Sequence, residues 1–162
     1  MTVTIRLAQP ADADEIATIL NEIIAIGGTT AFEDPLGIED VRAEFVTRPT
    51  LICSHVALDT HDQIAGVQFL NHNADYGPYI GDIATFARQS PRTPGVGTAL
   101  FEATRAAAED AGLAALNAKI RADNTSGLAY YTKMGFIDHH VERSVPLKDG
   151  TPVDRILKRL PL

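Results

Sequence analysis

A short glycine-containing loop is the first segment of this chain whose residues could do chemistry. It reads Arg92-Thr-Pro-Gly95-Val96-Gly97-Thr98, between an apolar strand pattern and an alanine-rich helix pattern. The first amides of a helix have no intrahelical partner and lie at the positive end of the helix dipole, so they bind phosphate well. Glycine lets the backbone approach a phosphate closely, and arginine adds a permanent charge with fork geometry. The loop therefore predicts a site for a phosphorylated ligand, with the amides of residues 95–98 as donors.

A second motif combines an amide, a phenol and a turn along one predicted helix. Asn124 stands at the start of this helix, and asparagine is a preferred helix N-cap. Tyr131 follows seven residues later, about two helical turns, and therefore shares a face with Asn124. Both side chains can point into one cleft, whereas Tyr130 points about 100° away. A plain helix cap and a plain packing tyrosine are the simpler interpretations of these two residues.

The hydrophobic pattern predicts the elements that must position these motifs. Apolar residues at i, i+3, i+4 and i+7 indicate helices, and strict alternation indicates half-buried strands. The predicted order is β-α-α-β-β-β-α-β-α-β-β, with the glycine loop between the fourth strand and the third helix. The predicted strands cover residues 3–7, 51–58, 64–70, 79–87, 116–120, 136–145 and 153–160, and the predicted helices cover residues 10–26, 38–45, 97–111 and 124–134.

The ordered pair of motifs resembles the GCN5-related N-acetyltransferases (the GNAT family), which move an acetyl group from acetyl-CoA to an amine. The family signature reads Arg or Gln, two residues, Gly, one residue, then Gly or Ala, and Arg92, Gly95 and Gly97 match it. The predicted element order is also that of the family. The resemblance implies an α/β fold, a mixed α+β sheet of about six to seven strands flanked by about four helices on both faces. It implies one domain over residues 1–162.

The resemblance also implies roles for the residues of the two motifs. Acetyl-CoA (coenzyme A) would be the co-substrate, held by Arg92 and the glycine loop, with Asn124 on its pantetheine or phosphate region. Tyr131 would lie near the sulfur and protonate the departing thiolate, since a phenol of pKa ~10 can share its proton with a thiol of pKa ~8.5. A backbone amide near Phe86 or Ala87 would face the acetyl carbonyl.

The glycine loop departs from the family pattern at Pro94. The family usually has a residue with an N–H two places after the arginine, and proline has none. We expect weaker binding of coenzyme A rather than its loss. A glycine turn that only links a strand to a helix is the simpler interpretation of the loop. A dinucleotide-binding loop would need glycine at position 100, which is Leu100.

Four residues are candidates for the acceptor site, as groups that bind the amine, deprotonate it or form the wall beside it. Asp82 matches the strand position where the family often carries a glutamate base, and it would serve if burial raises its pKa or water bridges it to the amine. The linker after the first helix resembles that of the phosphinothricin-acetyltransferase-like branch, which implies that Glu33 holds the ammonium and Phe32 forms an apolar wall. His72 is a second base candidate, because imidazole suits proton transfer near neutral pH. Residues 71–76 lack the basic side chains of that branch, which argues against an anionic amino acid.

Composition sets the broad class of the protein. The chain has 162 residues, 45% apolar and 22% charged, with a formal net charge of −7, values typical of a soluble globular protein. This charge argues against a nucleic-acid or membrane partner and would suit a cationic acceptor. The single cysteine, Cys53, lies in an apolar run and is predicted to be a buried strand residue. No segment approaches the ~18–20 apolar residues of a membrane span and the N-terminus lacks a signal peptide's apolar core, so we expect a cytoplasmic protein.

The combined prediction is an acetyl-CoA-dependent N-acetyltransferase that acts by direct attack in a ternary complex. Its acceptor is the primary amine of a small molecule, with an amino acid or analogue favoured. Two alternatives remain, namely an acyl-CoA-binding module without turnover and an acetyltransferase of protein N-termini or lysines. No metal is expected, because His139 and His140 lack companion ligands at useful spacing. A homodimer is the commonest assembly if the chain oligomerises.

Overall fold

Seven β-strands and four α-helices make up the computed structural model, which describes residues 2–162. The strands are β1 (Thr4–Leu7), β2 (Leu51–Leu58), β3 (Ile64–His72), β4 (Ile80–Ala87), β5 (Ala115–Arg121), β6 (Ile137–Pro146) and β7 (Pro152–Pro161). The helices are α1 (Ala13–Ile26), α2 (Ile38–Phe45), α3 (Val96–Asp110) and α4 (Thr125–Lys133). The predicted fold class, with its mixed sheet and flanking helices, is confirmed, and so is the predicted order of these elements.

The sheet opens between its two central strands. The strand order is β1-β2-β3-β4-β5-β7-β6, and only β4 and β5 run parallel to each other. They pair over Ile80–Asp82 and Ala115–Asn117 alone, whereas β4 stays paired to β3 as far as Ala87 and β5 stays paired to β7 as far as Arg121. The carboxyl-terminal halves of β4 and β5 therefore leave a gap between them. Backbone groups at the edges of this gap are available to another molecule.

Helices cover the two faces of the sheet because neighbouring strand residues point to opposite sides. On β3, Val67 packs in the core formed by α1 and α2, whereas Gly66 lies against Val96 and Leu100 of α3. The apolar stripe that the sequence predicts on α1 is buried, with Ile16, Ile19, Leu20 and Ile23 at 5% exposure or less.

Cys53 lies buried on β2, as predicted, and burial raises the pKa of its thiol to about 11. A thiol in that environment stays protonated and behaves as a small apolar side chain. In the described part of the chain, none of the helices has the length and apolar character that crossing a membrane requires.

Candidate active site

Two cavities meet at the gap between β4 and β5. The larger cavity, of about 450 Å³, lies between the glycine loop and the start of α4. The smaller cavity, of about 180 Å³, lies against β5, β7 and the segment that follows α1. Five residues line both of them, namely Thr29, Thr85, Phe86, Asn124 and Tyr131. A molecule bound in one cavity can therefore reach a molecule bound in the other at this junction.

The glycine loop lies along the larger cavity. Its residues from Arg92 to Gly97 line the cavity without interruption, while Thr98 is exposed outside the lining. Gly95 is the N-cap of α3 and has a φ of +82°, a left-handed conformation that glycine adopts without strain. The helix begins at the next residue, so its unpaired amides and the positive end of its dipole lie beside the cavity.

Gly97 allows α3 and α4 to approach each other at this cavity. A Cβ atom at position 97 would lie 2.7 Å from Cε1 of Tyr130. The Tyr130 hydroxyl donates to the Gly97 carbonyl oxygen at 2.8 Å. Contact with an aromatic ring is therefore a reason for glycine here, and the close approach of a phosphate stays a prediction.

Asn124 caps α4, as the simpler interpretation of the sequence has it. Its Oδ1 accepts a hydrogen bond from the amide of Gly127 at 2.9 Å, and its Nδ2 donates to the carbonyl oxygen of Thr29 at 3.0 Å. A Cβ at Gly127 would overlap the Asn124 amide, which explains a glycine where the family more often has alanine. The contact of Asn124 with a ligand stays a prediction.

Tyr131 ends a chain of buried polar groups that the sequence analysis did not single out. Its side chain is 6% exposed, and its Oη lies 2.9 Å from Oγ1 of Thr85. Gln68 Nε2 donates to the same Thr85 oxygen at 2.8 Å and to the Tyr130 hydroxyl at 3.1 Å. Because Thr85 accepts from Gln68, its own O–H can donate to Tyr131, which leaves the phenolic proton for the cavities. Burial raises the pKa of Tyr131, so the phenol is protonated at neutral pH.

The two candidates for the carbonyl-binding amide face opposite edges of β4. The amide of Arg88 donates to the carbonyl oxygen of Ala65 on β3 at 2.8 Å. Amides alternate in direction along a strand, so the Phe86 amide also faces β3 and the Ala87 amide faces the gap. Of the two, Ala87 is the one with an amide available to a ligand.

Asp82 lies where β4 and β5 still pair, outside the described lining of both cavities. Its Oδ1 accepts a hydrogen bond from Asn117 at 3.0 Å, and its Oδ2 accepts one from Asn73 at 3.4 Å. Burial raises the pKa of this carboxyl, against the lowering effect of the two hydrogen bonds. This meets one of the two conditions under which the sequence predicts a base at Asp82.

Of the two linker candidates, the structure brings only Phe32 to the smaller cavity. The Phe32 ring lies 6.2 Å from the ring of Phe86, and the two form an apolar wall. Glu33 lies outside the described lining of both cavities. Its carboxylate accepts hydrogen bonds from the backbone amide of Lys148, in the turn between β6 and β7, at 2.9 and 3.2 Å.

His72 and Asp82 lie on opposite faces of the sheet. His72 is exposed at the end of β3 and is the cross-strand partner of Gly81, whereas Asp82 is the partner of Asn71. Cross-strand partners point to the same side and successive residues to opposite sides. The structure therefore does not bring these two candidate bases together.

Three cations that the sequence analysis missed line the smaller cavity. They are Lys119 and Arg121 on β5 and Arg155 on β7. The lining contributed by residues 2–162 includes no carboxylate, so the cavity has the opposite sign to the net charge of −7. The alternation of Lys119 and Arg121 on one strand face was a detectable pattern. Arg155 comes to the same face only through the pairing of β5 with β7.

The acetyltransferase (GNAT) family model matches residues 20–136 of this chain. The chain therefore belongs to the acetyltransferase (GNAT) family. The family predicted from the two motifs is confirmed, and with it the class of enzyme, an acetyltransferase. A comparison with curated protein sequences gives no match.

Solved structures of acetyltransferases share the fold over nearly the whole chain. An N-acetyltransferase from Staphylococcus aureus Mu50 is 21% identical, with 99% of each chain covered and a TM-score of 0.87. A phosphinothricin acetyltransferase from Sinorhizobium meliloti in complex with acetyl-CoA is 22% identical, with 100% of this chain and 89% of that chain covered and a TM-score of 0.86. A ribosomal-protein-alanine N-acetyltransferase from Brucella melitensis is 20% identical, with 98% and 99% covered and a TM-score of 0.85. These names differ in the acceptor, so the fold alone does not select one.

Proposed function

We propose that this protein transfers an acetyl group from acetyl-CoA to the primary amine of a small molecule, by direct attack in a ternary complex. The observation that carries the proposal is the junction of two cavities beside the available hydroxyl of Tyr131. One cavity suits the acyl donor and the other suits the acceptor. Holding both reactants at one point removes much of the entropic barrier of a bimolecular step.

The larger cavity suits the pyrophosphate of coenzyme A in charge, and its volume is usual for a small-molecule site. The N-terminus of α3 and the side chain of Arg92 offer amides and a guanidinium to a pyrophosphate. The volume of about 450 Å³ lies in the range of roughly 300–1,000 Å³ that is usual for small-molecule sites. Pro94 removes one donor, and the amides from Gly95 onward remain. The S. meliloti relative with this fold binds acetyl-CoA, which supports the assignment.

The acyl donor supplies a thioester, and the residues of this chain govern its cleavage. The amine nitrogen forms the new C–N bond, and the C–S bond breaks with its electron pair on sulfur. The amide of Ala87 stabilises the charge that develops on the carbonyl oxygen, and Tyr131 protonates the sulfur. The ammonium loses one proton to Asp82 through water before the attack. The second nitrogen proton restores the phenol, so one proton is released per turnover.

Replacing Asp82 by Asn should lower kcat roughly tenfold at neutral pH, because the amide cannot accept the ammonium proton. The thermal stability of the variant, relative to the wild type, should instead increase as the pH rises. Since burial raises the pKa of Asp82, the folded protein binds this proton more tightly than the unfolded chain. That contribution is complete below the unfolded pKa of ~3.9 and is lost as pH rises through the folded pKa. The amide side chain of the variant has no such proton to lose. The Tm of the variant minus that of the wild type should therefore increase as pH rises.

The check is to measure kcat and Tm of wild type and Asp82→Asn side by side across the same pH series. A loss of activity matched by a loss of Tm would assign Asp82 a structural role instead of the base. Unchanged kcat with raised Tm would move the role of the base to another group.

Residues 29–32 line the smaller cavity, and the contacts that hold residues 30–34 in place support a small acceptor. Arg121 Nη1 donates to the carbonyl oxygen of Thr30 at 3.2 Å. Lys148 Nζ lies 2.7 Å from Oδ1 of Asp34, next to the hydrogen bonds that its amide donates to Glu33. A segment held at several points leaves little space for a polypeptide. A cavity of about 180 Å³ has room for a small amine.

Two substitutions at Glu33 separate anchoring of this segment from the predicted contact with the ammonium. Gln keeps an oxygen that can accept from the Lys148 amide but has no charge, whereas Ala removes both. We expect the KM for the acceptor to stay within about twofold in Glu33→Gln and to rise roughly tenfold in Glu33→Ala. Steady-state kinetics with a fixed, saturating concentration of acetyl-CoA measures both. An equal rise in the two variants would show that the charge binds the ammonium.

Thiol release from acetyl-CoA with free amino acids, polyamines and short peptides tests the proposed function, together with calorimetric binding of acetyl-CoA. We expect binding and turnover with a small amine. Binding without turnover on any acceptor class would favour an acyl-CoA-binding module. Turnover on peptides alone would favour an acetyltransferase of protein N-termini or lysines. Absence of binding would contradict the proposal entirely.

A further inference from the structure

Arg155 is a buried cation that lines the smaller cavity. It lies on β7, and its side chain and backbone together are 7% exposed. Within residues 2–162, its Nη1 is closed to solvent and donates no hydrogen bond. A charge removed from water is strongly unfavourable unless an opposite charge and hydrogen-bond acceptors compensate it. The guanidinium therefore lacks the compensation that a bound anion would supply.

The carboxylates near Arg155 are already bound by other cations. Asp123 accepts hydrogen bonds from Nε and Nη2 of Arg121 at 2.9 and 2.7 Å. Glu142, the cross-strand partner of Arg155 on β6, lies 3.1 Å from Nζ of Lys119. The ion pairs among residues 2–162 do not include Arg155. Of the three cations that line the smaller cavity in the described chain, Arg155 is the one that forms no ion pair.

The surroundings of Arg155 favour a small anion over a cation. Lys119 and Arg121 line the same cavity, and Phe32 and Phe69 are among its apolar residues. Several positive charges between low-dielectric walls raise the local concentration of anions. The cavity extends to Tyr131 at the junction with the larger cavity. A molecule with its anionic group at Arg155 can therefore present its other end to the reacting centre.

Building on the proposed transferase function, we propose that the acceptor amine carries a carboxylate and that Arg155 binds this carboxylate. A guanidinium matches a carboxylate through two parallel N–H donors, which fixes orientation as well as charge. The absence of basic residues in segment 71–76 argued against an anionic acceptor. In the folded chain the cations come from β5 and β7 instead, so that argument no longer holds. The acceptor class is a small amino acid in the broad sense, with an amine and a carboxylate in one molecule.

Matched pairs of acceptors test this inference. Each pair is a free amino acid and its carboxamide, which keeps the amine and loses only the negative charge. In thiol release with acetyl-CoA, we expect the wild type to prefer the free amino acid about 30-fold in kcat/KM. Arg155→Gln should reduce this preference to within about threefold, through the KM for the free amino acid. Comparing the ratio between variants cancels the difference in amine basicity within a pair.

Arg159→Gln is the matched control. Arg159 lies on the same strand and the same face, but its Nε donates to Asn117 at 2.8 Å and its guanidinium lies over the ring of Tyr76. It is outside the described lining of both cavities, so this substitution should leave the preference ratio unchanged. Arg155→Lys should keep part of the preference, because it retains the charge and loses the two-pronged geometry.

A binding measurement gives a readout that does not depend on turnover. Carboxylic acids that lack the amine should raise the Tm of the wild type and of Arg159→Gln but not that of Arg155→Gln. The Arg155→Gln variant without ligand should melt no lower than the wild type, because it loses a buried charge that has no partner.

The outcomes separate this inference from the proposed function. Turnover with no preference for the carboxylate, unchanged in Arg155→Gln, would overturn the inference and leave the transferase function standing. Acetyl-CoA binding without turnover on any amine would contradict the transferase function, and the melting experiment would still decide whether Arg155 binds carboxylates. Equal stabilisation of wild type and Arg155→Gln by these acids would also overturn the inference.

Discussion

Replacing Tyr131 by Phe should lower kcat roughly 100-fold and leave the Kd for acetyl-CoA nearly unchanged. The substitution removes one hydroxyl and keeps the ring, which packs 5.1 Å from the ring of Phe136. Without the phenol, the sulfur must leave as an unprotonated thiolate. Thiol release at saturating substrates gives kcat, and calorimetry gives the Kd.

The pH dependence separates this chemical role from a structural one. A phenol acts as an acid only while it is protonated, and burial raises the pKa of Tyr131, so the deficit of Tyr131→Phe should persist through neutral and mildly alkaline pH. Tyr130→Phe is the neighbouring control, because its hydroxyl donates to the Gly97 carbonyl oxygen at 2.8 Å and has no proposed part in the proton transfer. We expect its loss in kcat to be less than about tenfold. Equal losses in both variants at every pH would contradict the assignment of Tyr131 as the acid.

Replacing Gly97 by Val should weaken acetyl-CoA binding roughly 100-fold. A Cβ at position 97 already lies 2.7 Å from the Tyr130 ring, and two further methyl groups must push α3 away from α4. The amides at the start of α3 then move relative to the pyrophosphate, and loss of a hydrogen bond to a charged group costs about 1.5–3 kcal/mol, up to on the order of 100-fold in affinity. Calorimetric titration with acetyl-CoA measures the change.

Ala106→Val on the same helix controls for the helix propensity of valine. Ala106 is exposed on α3, so the substitution puts valine into the same helix, at a larger cost in helix propensity than Gly97→Val, without the contact to α4. We expect unchanged affinity for acetyl-CoA in this variant. Tight binding by Gly97→Val would mean that the loop tolerates separation of the two helices, and the proposed role of the close approach would be wrong.

Local patterns in the sequence predicted the features that depend on residues close together in the chain. The buried stripe on α1 follows from helical periodicity, and the loop at Gly95 follows from the conformational freedom of glycine before a helix. Asn124 was predictable as a cap because its bond to the Gly127 amide spans three residues. The two motifs also predicted the family, which the match over residues 20–136 confirms.

The acceptor side of the site was harder to predict because its groups come from distant segments. Glu33 was predicted at the amine, and the structure brings its carboxylate to the backbone amide of Lys148. Thr85 and Gln68 read as ordinary strand residues, yet they position the hydroxyl of Tyr131. No local pattern encodes such contacts, because they depend on which faces of β3, β4 and α4 meet across the core.

The sequence by itself determined the order of the elements, the glycine loop at Gly95 and the capped helix that carries Tyr131. Periodicity, glycine φ angles and helix capping act within a few residues, so they can be read along the chain. Only the tertiary structure decided the sign of the charge that lines the smaller cavity. Arg121 and Arg155 become neighbours through the pairing of β5 with β7, and both then line the smaller cavity beside the gap. The physical reason is that strand register and the opening of a sheet are long-range properties, while each cation alone resembles an ordinary surface residue.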